Sequence, residues 1–202
     1  MEKSQVQKSL KKEQGVANVT DTSTRCGLNG SSCRSSLLAI GVLGFALLQV
    51  RAVDASIEAS KRIQAMNLAK DIAERVRANQ KGLTKDIEVT AGGKTEVYKA
   101  YIKAFQGKEY LQSYDYSSCF GTEAACNSEE FAKQDANQAL YKAYLIGMKV
   151  GMDTCPGTVL RSRYCIYVAW DETNPKNGTG NDDCTISGSY RSNSKCIVME
   201  TY

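Results

Sequence analysis

The residues with the most chemistry to offer in this 202-residue chain are its eight cysteines. Cysteine can act as a nucleophile, bind a metal or close a disulfide, and its neighbours decide which. The chain contains no histidine. That removes the Cys-His and Ser-His-Asp nucleophile sets and most zinc-enzyme ligand sets. No two cysteines stand in a CxxC pair, which weighs against a structural zinc site. Disulfides and an oxidising compartment are the reading that remains. Six cysteines, Cys119, Cys126, Cys155, Cys165, Cys184 and Cys196, lie in the body of the chain. Six allow fifteen connectivities. Pairing of neighbours is the expectation: Cys119 with Cys126, Cys155 with Cys165, and Cys184 with Cys196. Cys26 and Cys33 lie in the polar N-terminal segment and have no assigned role.

No other constellation supports catalysis. Glu129–Glu130 and Asp182–Asp183 are adjacent in sequence and read as exposed acids, not as an acid–base pair facing one site. Gly41 and Gly44 lie inside an apolar run, where close helix packing is a better use for them than phosphate binding. Asn18-Val-Thr20, Asn29-Gly-Ser31 and Asn177-Gly-Thr179 match a glycan acceptor pattern that is common by chance. The expectation is a protein that is not an enzyme and uses no metal or other cofactor.

The elements that must position the cysteines follow from composition and period. The net charge is +4. Residues 1–34 hold six bases and three acids, so the body is nearly balanced and offers no broad basic surface for nucleic acid. The basic excess precedes residues 37–50, a run with one Gln and no charge. Bases before an apolar run are the pattern of export and membrane orientation. Fourteen residues fall short of the ~20 that span a bilayer alone.

Helical character continues beyond this run. From Ala52 to Asn79 there is no Gly or Pro, and Val53, Ile57, Ile63, Met66, Ile72 and Val76 form a narrow stripe. Glu58–Arg62, Lys70–Glu74 and Asp71–Arg75 are opposite charges at i, i+4. Residues 36–80 are therefore expected to be one long helix with its end, apolar over 37–50 and amphipathic over 51–79. Within it, Ile57, Ile63, Ile72 and Val76 are expected to carry the head.

Residues 81–202 have a different texture. Ile87–Ala91 and Thr95–Ile102 predict a hairpin around Gly92-Gly93. Asn127 and Glu130 make a capping box that opens a helix over about 128–149, with Phe131, Ala139, Leu140, Ala143 and Tyr144 on one side. Tyr164–Trp170 is the strongest strand signal, 172–193 reads as a long polar loop, and 195–202 as a closing strand. The fold class is α+β: a long N-terminal helix packed on a C-terminal antiparallel sheet with disulfides.

This layout resembles that of the type IV pilins. Lys11-Lys-Glu-Gln-Gly15 is similar to the end of a prepilin leader, which is cut after the Gly. Leu38-Ala-Ile-Gly-Val-Leu-Gly44, followed by Leu47-Leu-Gln49, resembles the greasy helix of PilV-type minor pilins. Asn67-Leu-Ala-Lys-Asp-Ile-Ala-Glu-Arg-Val-Arg-Ala-Asn79 resembles that family's LA-x-D-L-A-E-R-M-R-A-N segment and is the most specific stretch. Residues 17–36 depart from the pattern. They are polar, and the fifth residue after Gly15 is Thr20 where the family has Glu.

The resemblance implies a minor pilin of a type IV pilus, cleaved between Gly15 and Val16. Its implied partners are other minor and major pilins, prepilin peptidase, the inner-membrane assembly platform and membrane lipid, and its implied roles lie in assembly, twitching motility, adhesion or DNA uptake. It would sit in the inner membrane with its head in the periplasm and, after assembly, in the pilus at the cell surface. Residues 1–35 would be leader and polar segment, and 81–202 the head. A type II secretion pseudopilin shares the plan. A membrane-tethered secreted binding module or adhesin, using the tyrosine-rich head and the 172–193 loop, is the rival from another class.

Overall fold

A computed structural model describes residues 30–91, 93–113, 119, 125–157 and 163–201. The leader-like residues, with Gly15 and Val16, lie outside the described residues, as do Asn18 and Cys26. The chain divides after Asp54 into two units, Met1–Asp54 and Ala55–Tyr202. In the first, every described residue is helical.

Helix α1 runs Gly30–Ala78, 49 residues without a break. It begins earlier than residue 36, since the polar Gly30–Ser36 stretch contains no proline to stop it. The helix ends with Arg75 and Arg77 in its last turn, where cations suit the negative end of the dipole. Asn79 then caps the short α2 (Gln80–Thr84) by accepting from the Gly82 N–H at 3.2 Å.

The second unit sets helices on one face of a three-stranded antiparallel sheet. Strands β1 (Asp86–Ala91) and β2 (Lys94–Lys99) form a hairpin, and α3 (Ala100–Phe105) follows directly. Helix α4 (Ser128–Leu145) opens on the capping box: Asn127 Oδ1 accepts from the N–H groups of Glu129 and Glu130, and Glu130 accepts from the Asn127 N–H. It stops at Leu145, four residues short of the sequence reading, with Gly147 in the left-handed region at φ 67°. Met148–Thr154 is instead β3. Met148, Val150 and Met152 point to the core and alternate with less buried residues, a two-residue period that continuation of the helix would break.

Sheet order is β3, β4 (Tyr164–Trp170), β8 (Cys196–Thr201), with β4 central and buried at every residue. A strand covered on both faces carries apolar side chains on both, and β4 shows why. Tyr164, Ile166, Val168 and Trp170 join the helix-side core, while Cys165 and Tyr167 join a second cluster with Cys155 and Cys184. The loop expected over 172–193 contains a small sheet of its own: β5 (Asn174–Asn177), β6 (Asp183–Ile186) and β7 (Ser189–Tyr190). It lies so close to β3 that a Cβ at Gly151 would strike the Pro175 carbonyl, which is why that strand carries a glycine.

The stripe that seats α1 in the head is Ala65, Leu68, Ala69, Ile72, Ala73 and Val76, all at 6% exposure or less. Ile72 and Val76 are buried, but Ile57 and Ile63 are not: they remain 52% and 63% exposed. Ile63 is nine residues from Ile72, two and a half turns at 3.6 residues per turn, and so faces the opposite side. Ile57 precedes Glu58, which already accepts from the indole N–H of Trp170, the last residue of β4. It therefore lies past the end of the sheet. The helix stripe shares its core with Ala132, Ala136, Ala139, Leu140 and Ala143 of α4. Small side chains on both helices let the backbones approach closely. Phe131 and Tyr144 of α4 stay about 40% exposed, at the edges of that face.

Candidate functional site

Two features stand out, an apolar surface in the first unit and a stapled head in the second. Over 38–53 of α1, Leu38, Ile40, Val42, Leu43, Phe45, Leu47, Leu48, Val50 and Val53 are each between 58% and 70% exposed. Their positions run all round the helix, and a helix apolar on every side is built for an apolar environment. Gly41 and Gly44 are open: a Cβ added to either would meet nothing within 4 Å. They leave a notch where another helix backbone can come close. By length and composition this helix can cross a membrane. Nine large side chains at ~1.5–3 kcal/mol each make burial worth on the order of 10 kcal/mol before ordering and association costs.

The head is stiffened by three disulfides: Cys119–Cys126, Cys155–Cys165 and Cys184–Cys196. The second ties the end of β3 to the start of β4, and the third ties β6 to β8. Loops of 10 and 12 residues, as these close, contribute up to ~3 kcal/mol each in the chain-entropy account.

Polar contacts fix the pitch of α1 in the head. Arg75 donates to Asp71, Asp135 and Gln138 at 3.1, 3.1 and 2.6 Å, and Lys142 of α4 reaches Asp71 at 2.7 Å. Tyr101 Oη donates to Asp135 at 2.7 Å. Burial, reinforced by Asp135, pushes the Tyr101 hydroxyl pKa well above the usual tyrosine value, so it remains a donor. Partial burial opposes ionisation of Asp71, yet Lys142 and Arg75 outweigh it and hold its carboxyl below the ordinary value. At the other end of the sheet, Lys195 and Lys61 both bind Asp171, at 2.7 and 2.6 Å. The hydrogen bond from Lys195, with that from Lys61, lowers the Asp171 carboxyl pKa.

Sequence reasoning missed this second clasp. Lys61 and Asp171 are 110 residues apart, and no local pattern joins them. It did find Asp71–Arg75 and Glu58–Arg62, which pair at 3.1 and 3.5 Å. Glu74, expected to pair with Lys70, instead pairs with Arg77 at 2.9 Å.

Residues 47–137 match the family model described as Tt1218-like, type IV pilin Tt1218. The matched stretch takes in the end of the apolar run, the seated half of α1, the hairpin and half of α4. The α+β fold, a long N-terminal helix packed on antiparallel sheet with disulfides, is type IV pilin-like. The match covers a little under half of the chain and supports a pilin without distinguishing major from minor. No curated protein and no solved structure matches the chain. The exposed apolar half of α1 is consistent with membrane anchoring and pilus assembly.

Proposed function

We propose that this chain is a minor pilin of the PilV kind, a non-enzymatic component of a type IV pilus. The observation that carries this reading is the continuous helix Gly30–Ala78, apolar but for Gln49 and exposed over 38–50, and seated in a disulfide-bonded head over 65–76. Its mechanism is packing. The apolar half is stored in the inner membrane with the head, 81–202, on the periplasmic side. On assembly it leaves lipid for the filament core, where equivalent helices surround it. The change is close to neutral in hydrophobic free energy, so the direction is set by packing around residues such as Gly41 and Gly44.

The partners on this reading are other minor pilins and the major pilin, the inner-membrane assembly platform and, before assembly, the peptidase that cuts between Gly15 and Val16. The likeness of 38–49 and 67–79 to PilV-type sequences supports the minor rather than the major assignment.

A deletion strain tests the function. Loss of surface pili and twitching, restored by the intact gene, is the expected result. Normal piliation with loss of protein secretion would assign the chain to a type II secretion system instead. Intact mass of protein recovered from membranes tests cleavage after Gly15.

A further inference from the structure

Beside α1 in the head lies a groove of about 810 Å³ that pilus assembly through the apolar helix does not use. One wall is the outer flank of α1, with Arg62, Ile63, Met66 and Lys70; the other is formed by Tyr190, Arg191 and the strand β8. Three properties of this groove point to the same kind of occupant.

The first is an open strand edge. Among the described residues β8 pairs only with β4, so its far side is unpaired. The Val198 N–H points to that side and is met by a side chain, the Tyr190 hydroxyl, at 3.0 Å. Tyr190 is 56% exposed and able to move away. An unpaired edge covered by one movable side chain is protected from strand addition but still open to it.

The second is charge. Arg62, Lys70 and Arg191 line the groove, and no carboxylate does. Lys70 makes no ion pair among the described residues. Arg191 gives one hydrogen bond to the Gly178 carbonyl at 3.3 Å, while its Nε is buried with no partner. A buried guanidinium N–H without an acceptor is costly, and an incoming carboxylate would satisfy it.

The third is the apolar side of the groove. Ile63 is 63% exposed and Met66 38%, with Ile197 and Val198 half-buried across from them. This explains why Ile63, which does not seat the head, is apolar.

We infer that this groove binds an extended acidic segment of another protein, added as a strand along the free edge of β8. Its backbone carbonyl replaces the Tyr190 hydroxyl on the Val198 N–H. Alternate side chains meet Ile63 and Met66, and carboxylates meet Lys70 and Arg191. Main-chain pairing supplies affinity and the alternate side chains supply selectivity, as in other cases of strand addition. Single-stranded nucleic acid fits less well, because it favours a row of stacking aromatics and the groove has only Tyr190.

The inference does not depend on the pilus reading, since every residue it uses lies in the second unit, Ala55–Tyr202. The test uses the full chain in detergent micelles and a short fluorescein-labelled peptide alternating valine and glutamate, followed by fluorescence anisotropy. Saturable binding is expected, absent when lysine replaces glutamate in the peptide. Lys70→Glu, an exposed change that leaves the fold intact, should weaken binding about tenfold and reduce its salt dependence, the effect of reversing a charge at the rim of a site. Tyr190→Phe should tighten it, because the Val198 N–H is then left for the peptide. Equal binding of the two peptides, or no effect of Lys70→Glu, overturns the proposal. A Tyr190→Phe chain that binds no tighter overturns strand addition. Binding of oligothymidylate that Lys70→Glu removes, with no binding of the peptide, assigns the groove to phosphates and overturns it as well.

Discussion

One helix carries two stretches of apolar side chains with opposite fates. Over 38–53 they are large, surround the helix and stay exposed; over 65–76 they sit on one stripe, half of them alanine, and are buried. The difference is in arrangement more than in amount. A one-sided stripe of small residues fits a partner already in the chain, the alanine face of α4. An all-round surface of Leu, Ile, Val and Phe finds no such partner and suits lipid or a ring of similar helices. Folding free energy thus resides in the second stretch, and on the proposed function assembly free energy resides in the first.

Mutations that break this contrast should rank by how deeply they enter the stapled core. Ile72→Asp places a carboxylate at a site 2% exposed and should abolish stable accumulation, since an unpaired buried charge costs several kcal/mol. Ile63→Asp, on the outer flank, should leave the melting temperature within about 2 °C of the parent. Circular dichroism melts of the two in detergent make the comparison, and equal losses would remove the distinction between the two faces.

Replacing Cys184 and Cys196 together by serine should cost about 2–3 kcal/mol, from a 12-residue loop. Urea unfolding followed by fluorescence of Trp170, the only tryptophan and 1% exposed, reads this directly. Arg75→Ala removes the donor shared by Asp71, Asp135 and Gln138 and should cost about 2 kcal/mol on the same assay, because it leaves part-buried acceptors unmet.

The smallest effect is with pH. The Asp71 and Asp183 carboxyls have lowered pKa values in the folded state. In Asp183 burial opposes this, but the Asn174 side chain and the Gly180 N–H outweigh it. A lowered carboxylate pKa gives stability that is complete above the unfolded value, about 3.9, and is lost as pH falls through the folded one. With no histidine in the chain, stability should be flat from about pH 5 to 8 and fall only below about pH 4. Asp71→Asn should flatten the acid limb.

Much of this contrast is legible in the sequence. The unbroken helix, the apolar run and the capping box at Asn127 all follow from local rules. The seating stripe was half-visible. Ile72 and Val76 announced it, but Ala65, Ala69 and Ala73 did not, because alanine marks a core only when the facing helix is also small. Strand β3 was hidden because Met148-Lys-Val-Gly-Met152 continues the composition of α4, and only pairing with β4 decides its state. The small sheet over 174–190 and the Lys61–Asp171–Lys195 clasp depend on contacts between distant segments that no local pattern records.

The most direct test of the two fates is a liposome flotation assay on the full chain and a Leu43→Asp, Leu47→Asp variant, paired with the melt of each head. The parent should float with the vesicles and the variant should stay below, while both heads melt at the same temperature. A parent that does not float, or a variant whose head melts well below it, would contradict the assignment of 38–53 to assembly and 65–76 to folding.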